Sequence, residues 1–151
     1  MPIREARPGE EATILPLYQW LFDPPGSVPP GWDPEAARAR LAQTLAGPRS
    51  ALLIAEDAGR PVGFCSAYLD LLSVRYGLRC WVEDLAVDPE HRSRGTGAAL
   101  LRAAMDWGRE RGATHLELDS GTARTEAHRF YEREGPSWTG MQYAWVLSPH
   151  S

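Results

Sequence analysis

A strand that runs directly into a glycine turn and a helix, over residues 78–111, constrains the fold of this 151-residue chain more than any other stretch. The apolar run 78–87 has the pattern of a strand, and residues 97–111 show helical periodicity with a broad apolar stripe. Gly112 suits the C-cap of that helix. A strand followed so closely by an amphipathic helix predicts a helix packed against a sheet.

Glycine and proline residues divide the rest of the chain into further segments with helical or strand-like periodicity. Asp33 and Pro34 have the residue types of an N-cap and a first helical position, and Pro16 is expected to kink its helix or shift its start. We predict strands at 2–6, 50–57, 62–72, 114–120 and 141–147, and helices at 10–22, 34–46 and 125–134.

The order of these elements predicts an α+β fold with layered architecture. Its mixed central β-sheet is flanked by helices, and residues 1–151 form a single domain. The predicted hairpin at 51–71 disfavours a flavodoxin-like nucleotide binder, which would need alternating parallel strand–helix units. Apolar residues make up 43% of the chain and charged residues 24%, as in an ordinary globular protein.

Charge and segment length disfavour several classes of partner. The formal net charge is −4 and the pI is near 5.6, which argues against nucleic acid. The longest apolar runs are far shorter than the roughly 20 residues of a membrane span, and the charged start lacks the apolar core of a secretory signal. Cys65 and Cys80 are expected to be buried thiols, and no His/Cys/Asp cluster has metal-ligand spacing. We therefore expect a cytoplasmic protein with no membrane partner and no metal.

The segment HRSRGTG, residues 91–97, lies at the start of the predicted helix. N–H groups of a first helical turn have no intrahelical partners, and glycines at 95 and 97 let an anion approach them closely. Arg92 and Arg94 add positive charge, so a phosphate or pyrophosphate site is one interpretation. An ordinary strand–helix turn with solvated arginines is the other.

Two familiar nucleotide motifs do not match this segment. A P-loop needs a lysine after its glycines, and the chain contains no lysine. A dinucleotide fingerprint needs a third glycine, which residues 98–100 do not supply.

A more specific resemblance comes from two separate stretches of the chain. Arg92-x-x-Gly95-x-Gly97, preceded by DLAVDPEH and followed by AALL, resembles motif A of the GCN5-related N-acetyltransferases. The stretch TARTEAHRFYEREG resembles the helix of motif B of the same family. The predicted order of elements is similar to that family's fold across essentially the whole chain.

The resemblance implies acetyl-CoA as cosubstrate. The backbone of the glycine turn would hold the CoA pyrophosphate, and the end of the preceding strand would run beside the pantetheine arm like an extra strand. Arg124 stands where many members have asparagine, and it would either contact a CoA phosphate or be a solvated helix-start residue. Pro136 replaces a family phenylalanine, which puts the shape of the acceptor pocket in doubt. The implied CoA-binding residues are Leu85, Ala86, Val87, Arg92, Ser93, Arg94, Gly95, Thr96, Gly97, Ala98 and Arg124.

Tyr131 matches the family tyrosine that lies near the CoA sulfur and protonates the departing thiolate. A phenol has an ordinary pKa of about 10, so it carries its proton at neutral pH. Judged without the resemblance, Tyr131 would be a half-buried residue that braces its helix.

The attacking amine must lose a proton, and a partly buried carboxylate would accept it best. We expect Glu83 first in this role, with Asp84 and Glu117 behind it; the alternative is surface acids paired with arginines. Strict alternation would put Glu83 and Asp84 on opposite faces of their strand. The predicted faces are Trp81, Glu83, Leu85 and Val87 on one side, and Cys80, Val82, Asp84 and Ala86 on the other.

The acceptor is expected to be a small-molecule or peptide amine, and the acids favour a cationic one. Trp20, Phe22 and Trp32 lie in or beside the loop 23–33. These three side chains would either form an aromatic wall for the acceptor or pack under the loop. A non-catalytic acyl-CoA sensor with the same fold is the alternative function. The last predicted strand, 141–147, is apolar enough to form a homodimer interface, or it would be an internal strand of the sheet.

Overall fold

The computed structural model describes residues 2–121 and 124–147. Their centre is a five-stranded sheet whose strands lie in chain order. The first four strands are antiparallel to their neighbours, and the fifth runs parallel to the fourth. This confirms the predicted mixed sheet. The strands are β1 (Ile3–Glu5), β2 (Ser50–Asp57), β3 (Arg60–Ser73), β4 (Gly77–Val87) and β5 (His115–Leu118).

Asp33 and Pro16 determine the bounds of two helical segments. Asp33 accepts a hydrogen bond from the Glu35 N–H at 3.0 Å, which confirms the predicted N-cap. Pro16, which lacks an N–H, stands within a 3₁₀ turn at Leu15–Tyr18, and that turn interrupts the helix predicted at 10–22. The helices are α1 (Glu11–Ile14), α2 (Gln19–Phe22), α3 (Pro34–Ala46), α4 (Thr96–Glu110) and α5 (Thr125–Arg133).

The prediction of a strand at 141–147 is wrong. Residues 136–147 contain neither a helix nor a strand, and Leu147 in this segment is 93% exposed. Strand propensity is strongly context-dependent, so an apolar run becomes a strand only when its backbone pairs with a sheet edge, and residues 141–147 pair with none of the described strands. Within the described part of the chain, β5 pairs with β4 alone.

Helices cover both faces of the sheet. On one face α4 packs Leu100, Ala104 and Trp107 against a cluster that includes Cys65 and Cys80. Both cysteines are free, as expected, and burial raises the pKa of each thiol. The other face carries α1 and α3, which form a second core cluster. Its buried members are Ala6, Ile14, Leu41, Leu45, Leu52, Ile54, Phe64 and Ala86.

A β-bulge interrupts the alternation of β4 at Glu83. Ser66 of β3 pairs with Asp84, and the next residue, Ala67, pairs with Val82, so Glu83 has no cross-strand partner in the register. Asp84 lies opposite Ser66. Ser66 shares a face of β3 with Phe64, two residues earlier, which belongs to the cluster under α1 and α3.

The bulge overturns the predicted distribution of side chains on β4. Cys80 and Val82, before the bulge, belong to the cluster under α4, and so do Leu85 and Val87 after it. Asp84 therefore does not share a face with Cys80 and Val82. One extra residue shifts every later side chain to the opposite face from the one that simple alternation predicts.

Pairing between β4 and β5 ends at Val82 and Leu118. Beyond this point β4 continues over residues 83–87, while the chain after β5 leaves the sheet. A cleft therefore opens between the second half of β4 and the segment that follows β5.

Replacing Gly63 with Ala should destabilise the fold, because the first turn of α4 lies directly over it. An added Cβ would stand 2.9 Å from Leu100 Cδ1 and 3.2 Å from both Thr96 Cγ2 and the Ala86 carbonyl oxygen. We expect urea denaturation to show a loss of about 1–3 kcal/mol. The matched control Gly121→Ala points into open space and should cost less than about 0.5 kcal/mol. Equal stability of the two variants would contradict close packing of α4 on β3.

Candidate active site

The glycine turn connects β4 to α4 through a 3₁₀ turn at Pro89–His91. Gly95 has a φ of +81°, a left-handed conformation that favours glycine at this position for backbone reasons alone. Gly97 lies against α5 instead, where an added Cβ would be 3.4 Å from the Phe130 ring. Arg92 and Arg94 are exposed beside the helix start. Positive charge and a helix N-terminus therefore coincide here, as an anion site requires.

His91 anchors the turn to the end of β2. Its side chain is buried, with Nε2 3.3 Å from Asp57 Oδ2 and Nδ1 3.6 Å from Asp88 Oδ2. Asp88 also accepts a hydrogen bond from the Glu90 N–H at 3.0 Å. These contacts hold the start of the glycine turn in place.

The cleft between β4 and the segment after β5 has a volume of about 130 Å³. It brings together residues from four parts of the chain, including three of the four predicted catalytic residues. Its lining is Leu21, Val82, Glu83, Asp84, Leu85, Leu118, Asp119, Ser120, Gly121, Arg124, Ala127 and Tyr131.

Asp84 is the more buried of the two adjacent carboxylates. Its Oδ2 accepts hydrogen bonds from the Tyr18 hydroxyl at 3.2 Å and from the Ser66 hydroxyl at 3.4 Å. Burial raises the pKa of Asp84 to about 6, and the nearby Glu83 adds to the rise, although both hydrogen bonds and the Arg124 charge act in the opposite direction. Asp84 can therefore gain and lose a proton near neutral pH.

Glu83 and Glu117 have different surroundings. Glu83 is exposed, and its Oε1 accepts a hydrogen bond from Trp81 Nε1 at 2.8 Å. Glu117 accepts a hydrogen bond from Arg79 Nη1 at 2.9 Å and is absent from the residues described as lining the cleft. The structure thus brings Glu83 and Asp84 into the cleft and places Glu117 in an ion pair outside it.

Tyr131 lies on α5 and faces the cleft. Burial raises the pKa of its phenol to about 12; Cys65 and Asp119 raise it further, and Arg124 lowers it. The phenol therefore carries its proton at neutral pH and can donate it.

Arg124 is half-buried rather than solvated. Its Nη2 donates a hydrogen bond to the Leu21 carbonyl oxygen at 2.9 Å, which joins the start of α5 to the end of α2. Gly26 packs so closely here that an added Cβ would lie 2.6 Å from the same Nη2. The guanidinium also lowers the pKa values of Asp84 and Tyr131. Its predicted contact with a CoA phosphate stays a prediction.

Aromatic rings pack along α2 and the loop 23–33. Trp20 stacks on Phe64 of β3 with ring centroids 6.4 Å apart, so it contributes to the core. Phe22 meets Trp32 edge to face at 4.9 Å, which ties the loop to α2.

Tyr18 and Ser66 were not singled out by the sequence analysis as site residues. Tyr18 reads as part of the apolar side of its helix, and Ser66 is a small residue inside an apolar strand. Their contacts with Asp84 span 66 and 18 residues, and such distant contacts leave no local pattern.

Neither a membrane-spanning helix nor a metal-ligand cluster is present in residues 2–121 and 124–147. No helix there has the length and apolar character needed to cross a membrane. No group of three or more His, Cys, Asp or Glu side chains there is arranged to hold a metal ion.

Comparisons with known proteins agree with this geometry. The sequence model of the acetyltransferase (GNAT) family matches residues 14–135 of this chain. The uncharacterized N-acetyltransferase YhfO of Bacillus subtilis (strain 168) is 33% identical over 135 residues, which cover 89% of each chain. The aminoalkylphosphonate N-acetyltransferase of Salmonella typhimurium is 32% identical over 115 residues, 76% of this chain and 75% of that one.

A solved structure shows the same fold. It is that of AAC(6')-Iy in complex with the bisubstrate analog CoA-S-monomethyl-acetylneamine, with a TM-score of 0.81, 21% identity and 98% of each chain covered. Together with the family match, these similarities show that the chain belongs to the acetyltransferase (GNAT) family. It is an N-acetyltransferase that uses acetyl-CoA as cosubstrate.

Replacing Asp84 with Asn should raise the melting temperature by a few degrees above pH 6 and leave it nearly unchanged at about pH 4. The pKa of Asp84 rises on folding from its ordinary 3.8 to about 6, so the folded chain holds this proton more tightly than the unfolded chain. Stability is therefore lost as pH increases between these values. Thermal melts at about pH 4 and about pH 8 measure the difference. A variant that is less stable than the parent at the higher pH would contradict costly burial of the charge.

Proposed function

We propose that the acceptor of this N-acetyltransferase is an amine that carries more than one positive charge. The charge of the cleft supports this, because Glu83, Asp84 and Asp119 line it opposite a single cation, Arg124. Glu83 and Asp119 form no ion pair with any residue from 2–121 or 124–147. A second ammonium group on the acceptor would find these carboxylates unneutralised.

The relatives differ in the charge of their named substrates. An aminoalkylphosphonate carries an anionic phosphonate, which the excess of carboxylates in this cleft would repel. The AAC(6')-Iy complex contains an analog of neamine, an aminoglycoside with several amines. The charge of this cleft is compatible with an acceptor of the second kind.

Asp84 is our candidate for the base that prepares the amine. It would take a proton from the substrate ammonium, and its raised pKa of about 6 makes it a better acceptor at neutral pH than an ordinary aspartate. Glu83, preferred on sequence alone, is more exposed and lacks this burial.

Acetyl transfer then proceeds by direct attack. The amine nitrogen attacks the thioester carbonyl carbon; the tetrahedral intermediate loses a second proton from nitrogen to solvent and collapses with cleavage of the C–S bond. Tyr131 would donate its phenolic proton to the departing CoA thiolate, as the family resemblance implies. Asp84 finally releases its proton to solvent, and Tyr131 regains one.

CoA binding is assigned by resemblance to residues 85–87, 92–98 and Arg124. Two observations support the assignment for the main chain. The helix start at Gly95 has exposed arginines beside it, and residues 83–87 lie beyond the last pairing with β5, so their edge faces the cleft. An amide-bearing pantetheine arm could pair with that edge.

Acid–base roles predict a distinct pH profile. kcat/KM should rise as pH increases through about 6, because Asp84 must be deprotonated to accept the substrate proton. Asp84→Asn should lower kcat by roughly 100-fold or more and remove this rising limb, and Tyr131→Phe should lower kcat while the limb remains. Glu83→Gln and Glu117→Gln should keep the limb. Its loss in either of these variants would assign the base to that glutamate instead.

Acceptor charge predicts a substrate order. With acetyl-CoA held constant, kcat/KM should be highest for aminoglycosides and polyamines, lower for a monoamine, and lowest for an aminoalkylphosphonate. Asp119→Asn should raise KM for a polyamine several-fold, leave KM for acetyl-CoA unchanged, and reduce the sensitivity of the reaction to salt. Preference for the phosphonate would refute the proposal. Cosubstrate binding without acetylation of any amine would support the sensor alternative.

We also propose a cytoplasmic location. Both cysteines are free and buried, which is typical of proteins from a reducing compartment.

We propose that the protein forms a homodimer through its exposed apolar C-terminal segment, residues 136–147, together with the tip of the β3–β4 hairpin. Trp138 stacks on Tyr76 with ring centroids 5.2 Å apart, so the segment begins against that tip. Exposed apolar surface of this extent usually marks an interaction site. The exposed apolar side chains are Leu71, Leu72, Val74, Tyr76, Trp138, Met141, Tyr143, Trp145, Val146 and Leu147.

Charge placed in this surface should separate the protomers. Trp145→Glu and Leu72→Glu should convert the dimer to a monomer in sedimentation velocity, because each would bury a carboxylate in an apolar interface. Val28→Glu is the matched control, since Val28 is an exposed apolar residue outside the patch and should leave the dimer intact. A parent protein that is monomeric at all concentrations would refute the proposal.

A further inference from the structure

Two buried side-chain atoms of the described residues have no hydrogen-bond partner: His91 Nδ1 and Ser120 Oγ. Buried polar atoms are nearly always hydrogen-bonded, so each exception calls for a physical reason. His91 Nδ1 has one, because it lies 3.6 Å from the carboxylate of Asp88.

Ser120 stands directly after β5, in the wall of the cleft that Asp84 and Tyr131 also line. A hydroxyl that is removed from water without a partner costs free energy in the folded state. A purely structural role would need a bond to the protein, and the hydroxyl makes none with residues 2–121 or 124–147.

Two other serines, the buried Ser66 and the half-buried Ser50, have hydrogen-bonded hydroxyls. The Ser66 hydroxyl bonds to Asp84, and the Ser50 hydroxyl donates to the Thr44 carbonyl oxygen at 2.8 Å. Ser120 differs from both in that it lines the cleft and lacks a hydrogen-bond partner among residues 2–121 and 124–147. Rotation about its single χ1 torsion would turn the hydroxyl toward a molecule in the cleft.

We infer that the Ser120 hydroxyl donates a hydrogen bond to a carbonyl oxygen of the acyl-pantetheine arm of acetyl-CoA. The inference rests on the proposal that this cleft holds the cosubstrate. Both the amide carbonyls of pantetheine and the thioester carbonyl can accept such a bond. Ser120 is thereby a positioning residue, which holds the arm so that the thioester lies within reach of Asp84 and Tyr131.

Stability and affinity should change in opposite ways in Ser120→Ala. Its melting temperature without cosubstrate should equal or exceed that of the parent, because no protein hydrogen bond is lost and an unsatisfied hydroxyl is removed. Its Kd for acetyl-CoA by isothermal titration calorimetry should rise roughly three- to tenfold. The matched control Ser50→Ala removes a satisfied half-buried hydroxyl, so it should melt lower and bind acetyl-CoA with unchanged affinity. Ser120→Thr, which keeps a hydroxyl, should retain most of the affinity.

Titration with free CoA identifies the accepting carbonyl. An equal loss of affinity for CoA and acetyl-CoA in Ser120→Ala assigns the bond to a pantetheine amide, and a loss confined to acetyl-CoA assigns it to the thioester. An unchanged Kd for both, whatever the melting temperature, would overturn the inference while leaving the proposed function in place. If the parent protein bound neither acetyl-CoA nor CoA, the proposed function of the cleft would fail as well.

Discussion

The β-bulge at Glu83 is the feature on which the site depends. Without it, β4 would alternate regularly, and the side chain of Asp84 would point under α4 together with Val82. The extra residue turns Asp84 toward Tyr18 and Ser66, and it turns Leu85 and Val87 into the core beneath α4. One local irregularity thus keeps the apolar core intact and places two adjacent carboxylates in the same cleft.

The end of pairing between β4 and β5 complements the bulge. Parallel hydrogen bonds stop at Val82 and Leu118, and the chain from β5 then passes through Asp119 and Ser120 toward α5, which carries Tyr131. The proposed base on β4 and the proposed acid on α5 therefore line the same opening while both elements remain unbroken. Arg124 bridges from α5 to the Leu21 carbonyl, so the far side of the cleft is tied to α2.

The site keeps features that reduce stability but suit its chemistry. A buried aspartate with a pKa near 6 costs folding free energy, and so does a buried hydroxyl that has no partner in the described part of the chain. Two core clusters surround the sheet and offset these costs. The carboxylate of Asp84 and the hydroxyl of Ser120 are thus less stable where they lie than they would be in water.

Local sequence determined most of the architecture. The apolar runs of β2, β3 and β4, the cap formed by Asp33 and Pro34, and the glycine turn before α4 could all be predicted, because each depends on residues close together in the chain. The glycine turn and the stretch TARTEAHRFYEREG were sufficient to indicate the family.

Tertiary structure decided what depends on distant contacts. The bulge exists only in the register between β3 and β4, and the raised pKa of Asp84 depends on its burial in the assembled structure. Residues 141–147 have the apolar composition of a strand, yet they do not form one in this chain. A strand requires backbone pairing with a sheet edge as well as a suitable sequence, and whether a segment pairs is decided only when the whole sheet has assembled.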